Sequence, residues 1–285
     1  MAVWVPSPTA GQDSFQQTTT ENFVIKYKQG YVEDAEKIGN ITETAREELL
    51  QEVPSNANVT LPQRIQIYLH PNSEWAYGDY SLYWDSGDPV KIHMLTPSDS
   101  SVDTDWYQHG IAHEYANIIL WDYANDNSNH DYRDRNPIWF PEGVSEYLVY
   151  NTPSVSDQYP PHGFEQLNRT IRNGNGGFEN ISKDQYEGGH LLTLYLTDEY
   201  GEQVIWDILE SDANSFDTAV EQSVGISYEN FKNNWSIWAE DNINIKNNQM
   251  QSKDNNTVES SRNLLVLIAI LIGLSSILVI REKLL

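Results

Sequence analysis

Three short stretches carry side chains whose types and spacing suit hydrolytic chemistry. The first is His113-Glu114-Tyr-Ala-Asn117. In the motif H-E-x-x-H, the two His share one helix face and grip a metal, and the Glu takes a proton from metal-bound water. Here the fifth position is Asn, so half of that grip is missing, and a bare His-Glu pair is common by chance. The second stretch is Trp139-Phe-Pro-Glu142-Gly-Val-Ser-Glu146-Tyr-Leu, which begins its carboxylates 25 residues after Asn117. The third is Gln185-Tyr186-Glu-Gly-Gly-His190. His109 lies four residues before His113 and shares its helix face. No partner spacing attaches to His70, His93, His130 or His162, and Ser145 lies outside any G-x-S-x-G elbow.

Those stretches need elements to hold them. Alternation predicts strands over residues 22–28 and 64–70, with a third over 90–95. Apolar residues at three- and four-residue steps predict a helix over 32–53, closed by Pro54. A helix over 103–122, capped by Ser101 or Asp103, carries His109, His113 and Asn117. An aromatic loop is expected near residues 75–84, and a solvated Asp/Asn-rich loop follows 122. Pro141 is expected at the first position of the helix bearing Glu142 and Glu146. Helices over 183–200, 202–211, 216–224 and 228–242 complete the folded region. The sum is an α+β chain with a sheet-bearing first part and a helical second part.

The ordered set His113-Glu114, Glu142-Gly-Val-Ser-Glu146 and Tyr186-Glu-Gly-Gly-His190 resembles the gluzincin zinc peptidases, in particular peptidase MA-like domains related to the aminopeptidase N family. Tyr200-Gly201, Ser215-Phe216, Ala219, Gly225-Ile-Ser227 and Trp235 continue the likeness over residues 22–241. The resemblance implies a two-lobed gluzincin-like fold, hydrolysis of a peptide or protein substrate, and zinc held by His113 and Glu142. It also implies Glu114 as general base and Tyr186 as the donor that steadies the oxyanion. Glu146, one turn after Glu142, would orient His113, and the strand over 90–95 would be the sheet edge that pairs with a peptide. The departure is Asn117, a neutral amide where the pattern has its second His. Three outcomes follow from it: a metal-free retired peptidase, a site completed by His109 or His190, or a weak site using Asn117 or water. A noncatalytic peptide-binding protein is therefore the rival to the enzyme. No G-x-M-E-N-like aminopeptidase signature precedes the helix.

Composition bounds the rest. With 42 acidic against 17 basic residues in 285, the formal charge is −25, which argues against nucleic acid as a partner. Such an acid excess suits a surface kept hydrated in high salt. The chain has no Cys, so thiolate zinc sites, disulfides and Cys nucleophiles are absent. Residues 264–280 are uncharged and apolar, predicting a membrane span before a five-residue tail at 281–285. Residues 242–263 read as a flexible tether, and residues 1–21 precede the domain. Six N-x-[ST] sequons favour a folded domain outside the cell, anchored by that C-terminal helix.

Overall fold

The computed structural model describes residues 15–54, 64–75, 82–85, 89–100, 104–128, 135–156 and 177–251. Residues Met1–Ile237 form one compact unit and Trp238–Leu285 a second. The architecture is α+β, a small mixed sheet with the remainder helical.

Among the described residues, five strands make the sheet: β1 (Gln16–Thr19), β2 (Phe23–Tyr27), β3 (Ile65–His70), β4 (Leu82–Asp85) and β5 (Lys91–Leu95). Their spatial order is β1-β2-β3-β5-β4. The β2–β3 and β3–β5 pairs are parallel, and β1 and β4 add antiparallel edges. Period-two alternation turns Phe23, Ile25, Ile65, Ile67, Leu69, Ile92 and Met94 to one buried face. The parallel β2–β3 pair requires a crossover, supplied by α1 (Val32–Glu52). Its buried stripe of Ala35, Ile38, Thr42, Ala45 and Leu49 follows the helical repeat.

Two expectations about the sheet change. The strand over residues 90–95 is not an edge, because β5 pairs with β3 on one side and β4 on the other. Among the described residues the edge on that side is β4, formed inside the stretch read as an aromatic loop. Leu82 of β4 pairs with Met94 and points into the core, which gives this short segment a reason to be a strand.

The long helix α2 (Thr104–Asn127) runs five residues beyond the expected end. Tyr123 and Ala124 in that extension are buried, and the Tyr123 ring meets Trp206 edge-on at 4.8 Å while its hydroxyl donates to Glu210. Burial of an aromatic ring outweighs the turn preference of the nearby Asp and Asn. The helix is apolar around most of its girth, with Ile111, Ala112, Tyr115, Ala116, Ile118, Ile119 and Leu120 all buried. It is a core helix, and its polar residues are therefore conspicuous.

Next come α3 (Trp139–Asn151), α4 (Glu187–Tyr200), α5 (Gln203–Glu210), α6 (Phe216–Val224) and α7 (Tyr228–Gln251). Pro141 is the third residue of α3 rather than the first, still within the turn whose N–H groups lack intrahelical partners. Helix α7 continues to Gln251, where a flexible stretch was expected from residue 242. The membrane span expected over 264–280 lies outside the described residues, and among those described no helix is long and apolar enough to cross a membrane.

Glycines decide how α3 and α4 meet. A Cβ on Gly143 would stand 2.1 Å from the Gly189 carbonyl carbon, and one on Gly189 would stand 2.4 Å from the Trp139 oxygen. The two helices thus cross backbone against backbone, an approach that only glycine permits. That crossing sets the helix bearing Glu142 and Glu146 against the helix bearing His190.

Candidate functional site

Helix α2 presents His109, His113 and Asn117 one turn apart along one face, and α3 presents Glu142, Ser145 and Glu146 opposite. The contacts run in reverse order: His109 meets Glu146, His113 meets both carboxylates, and Asn117 meets Glu142 and Ser145. The helices are therefore antiparallel at the site. His109, His113, Asn117, Ser145, Glu146 and His190 are all buried.

His113 is clamped between two carboxylates. Its Nε2 lies 2.8 Å from Glu142 Oε2, and its Nδ1 lies 2.9 Å from Glu146 Oε1. The second contact is off the line of a hydrogen bond, so it acts mainly through charge. Glu146 also receives His109, whose Nε2 stands 3.1 Å from Oε1. Sequence reasoning placed Glu146 as the group that orients His113, and the two are in contact here.

The electrostatics follow from this crowding. Burial opposes charging His113, but the Glu146 charge and the contacts with Glu142 and Glu146 outweigh it, so its pKa rises well above 6.5. Burial likewise opposes ionising Glu146, yet His113 and His109 hold it well below the usual carboxylate range. Glu114 behaves differently. Burial lifts its pKa from 4.5 to about 7, helped by Glu142 and Glu146, while His113 and a hydrogen bond from Asn117 pull the other way. His190 is pushed down to about 4, first by burial, and so stays neutral near pH 7.

Tyr186 sits just before α4 with 46% of its surface exposed, its ring centroid 5.6 Å from that of His113. The fold thus gathers His113, Glu114, Glu142 and Tyr186, the four residues singled out from the sequence. His190, weighed as a substitute ligand, lies on the far side of a ring that the sequence reading missed. Tyr150 stacks on His190 at 4.9 Å and meets His109 edge-on at 5.3 Å. Tyr150 is one turn beyond Glu146, and that spacing was the available signal.

Asn117 decides whether zinc fits where the resemblance puts it. Its Oδ1 accepts a hydrogen bond from Ser145 Oγ at 2.9 Å, and its Nδ2 faces Glu142 Oε2 at 3.5 Å. The same amide group lies close enough to Glu114 to favour its charged form. The Glu142 carboxylate at the NH2 end and the Ser145 hydroxyl at the oxygen set the orientation of the amide. Where a peptidase needs a third electron-pair donor, this chain offers a hydrogen-bond donor. A catalytic zinc keeps three protein ligands and one open position, and only His113 and Glu142 remain. The residues present do not fit a catalytic zinc at that position.

His70 and His93 meet across β3 and β5, Nε2 to Nδ1 at 3.0 Å, in an aromatic stack with Tyr68 on the outer face of the sheet. His130 and His162 lie outside the described residues. No protein-family model matches the chain, and no curated protein matches it.

Proposed function

We propose that this chain is a membrane-tethered, extracellular protein built on a gluzincin-like, peptidase MA-like scaffold that binds an extended peptide or protein segment without hydrolysing it. The observation that carries the reading is the Asn117 amide, fixed by Ser145 with its NH2 toward Glu142 and Glu114. It puts an N–H group where a cation would face Glu142, the carboxylate that the resemblance makes a ligand. His113 completes the neutralisation as an imidazolium between Glu142 and Glu146. These contacts give His113, Glu142 and Asn117 partners without a metal at the position that the resemblance implies.

Two features beside the site suit peptide binding. Strand β4 is a sheet edge, and the Leu82 side chain reaches α2 at Gly110, where it would lie 3.6 Å from an added Cβ. An extended segment can add to that edge through main-chain hydrogen bonds. The half-exposed Tyr186 ring offers an apolar and hydrogen-bonding surface next to His113. The tether to the membrane rests on the uncharged stretch at 264–280.

One observation favours a second reading, zinc-dependent peptide hydrolysis of reduced competence. His113, Glu142, Glu114 and Tyr186 stand together, and a carboxyl group titrating near 7 is suited to proton transfer at neutral pH. Asn117→His separates the two. A merely depleted peptidase gains zinc binding and peptide cleavage from this change, whereas a dedicated binding protein keeps its peptide affinity and gains no cleavage. Cleavage by the unaltered chain that disappears in Glu114→Gln would refute the binding reading.

A further inference from the structure

The side chains one helical turn away from the expected zinc position form a different donor set. His109, His113 and Glu146 each offer one ligand atom, and these atoms all lie within 4.8 Å of one another. We infer that this trio is a binding site for a divalent transition ion of the zinc class, displaced by one turn of α2 and α3 from the position that the peptidase pattern implies.

The geometry is close to what such an ion requires. Ligand atoms about 2.0–2.2 Å from a tetrahedral zinc stand roughly 3.3–3.6 Å apart. Here His109 Nε2 and Glu146 are 3.1 Å apart, and His113 Nδ1 and Glu146 are 2.9 Å apart. Those two separations need a few tenths of an ångström of outward movement, and the two imidazole nitrogens lie within 4.8 Å of each other. The two rings already lie nearly parallel, 13° between planes, with centroids 6.3 Å apart. His at i and i+4 on one helix with a carboxylate from a second helix is a donor set that zinc accepts.

A second observation points the same way. His113 Nδ1 is buried, and its 2.9 Å approach to Glu146 is not aligned as a hydrogen bond, so a buried ring nitrogen is left short of a hydrogen-bond partner. An ion at this place would use that nitrogen. The other nitrogen, Nε2, would keep its proton and donate to Glu142 at 2.8 Å. A carboxylate that receives the second ring N–H of a ligating His is the usual support for such a ligand. Glu142 would thus pass from ligand to supporting partner, and Glu146 from supporting partner to ligand. Asn117, whose amide is committed to Ser145, takes no part.

The displaced site is not a hydrolytic centre. The residue after the first His of the trio is Gly110, so no carboxylate stands where the peptidase motif puts its base. Its effect is to staple α2 to α3 and to bias the fold toward the bound form by mass action. This inference does not depend on peptide binding.

The full-length chain, purified in detergent at high salt, is loaded with Zn2+ and dialysed, and its zinc is counted by elemental mass spectrometry. X-ray absorption on the same sample counts the imidazoles around the metal. The expected result is about one zinc per chain with two imidazoles. His109→Gln is expected to lose the zinc, while Glu142→Gln keeps it with an affinity lower by about 10–100-fold. No zinc, zinc with one imidazole, or zinc that survives His109→Gln overturns the inference. Complete loss in Glu142→Gln overturns the outer role given to Glu142. Circular dichroism checks that the variants fold, and the imidazole count on the unaltered chain decides the matter if they do not.

Discussion

The crossing of α3 and α4 offers a severe test of how the site is positioned, through Gly143→Ala. The added Cβ would lie 2.1 Å from the Gly189 carbonyl carbon and 2.2 Å from its oxygen. Both atoms belong to backbone, so no side chain can swing aside. Reaching 3.4 Å, the start of ordinary contact, demands a separation of about 3.4 − 2.1 = 1.3 Å between the helices. Overpacking of this kind costs about 1–3 kcal/mol, against a helix-propensity gain of about 1 kcal/mol for Ala over Gly. We expect a net loss near 2 kcal/mol, the upper overpacking cost of about 3 less the propensity gain of about 1, because two backbones clash. The control is Gly177→Ala, since a Cβ there meets nothing within 4 Å. It should change stability by no more than about 0.5 kcal/mol. Denaturant unfolding at fixed salt measures both. A Gly143→Ala variant as stable as the control would refute the crossing geometry, and with it the placement of Glu142 and Glu146 against α2.

Three further predictions concern charge. Glu114→Gln should stabilise the protein at pH 8 by up to about 3 kcal/mol, because a rise from 4.5 to about 7 makes ionisation costly in the folded state. The gain should be absent below pH 4.5, grow between 4.5 and 7 and level off above, and a pH-independent difference in unfolding free energy would contradict it. Glu146→Gln should destabilise by about 3–5 kcal/mol near neutral pH, since it strips a buried imidazolium of a partner. The sign is fixed by both groups: the depressed Glu146 contributes above 4.5 and loses this as pH falls through its folded value, while the raised His113 contributes below 6.5 and loses this as pH rises through its own. Urea titrations across pH read the window, and a variant matching the parent at pH 6 would count against the clamp. His190→Phe keeps the stack on Tyr150 and cannot protonate, so it should lessen the stability lost as pH falls from 6.5 toward 4, by up to about 3 kcal/mol. Acid unfolding curves that coincide with those of the parent would rule this out.

The periodic elements were legible in the sequence because burial there follows a regular repeat. Phe23-Val-Ile-Lys-Tyr27 alternates, and Ala35, Ile38, Thr42, Ala45 and Leu49 step by helical turns, so β2 and α1 come directly from pattern. Strand β4 was hidden because four residues among many aromatics carry no period, and its partner β5 lies downstream. The end of α2 was misplaced for a related reason. Its Asp and Asn signal a turn locally, while the buried Tyr123 is held by Trp206, 83 residues away in sequence (206 − 123). At the site, the four-residue step says that Glu142 and Glu146 share a helix face, while their meeting with His113 was what the resemblance implied. The role of Ser145 was not legible. Nothing in Glu142-Gly-Val-Ser145 says that the hydroxyl will turn to Asn117, which depends on how two helices cross at Gly143 and Gly189.

The most direct test of the account is to incubate the zinc-loaded full-length chain with a diverse peptide mixture at high salt and follow it by mass spectrometry, with Glu114→Gln alongside. The account predicts peptides retained on the protein and recovered intact, with the same set retained by both proteins. New peptide termini that appear with the unaltered chain and vanish with Glu114→Gln would contradict it, and would mean that the site cuts despite Asn117.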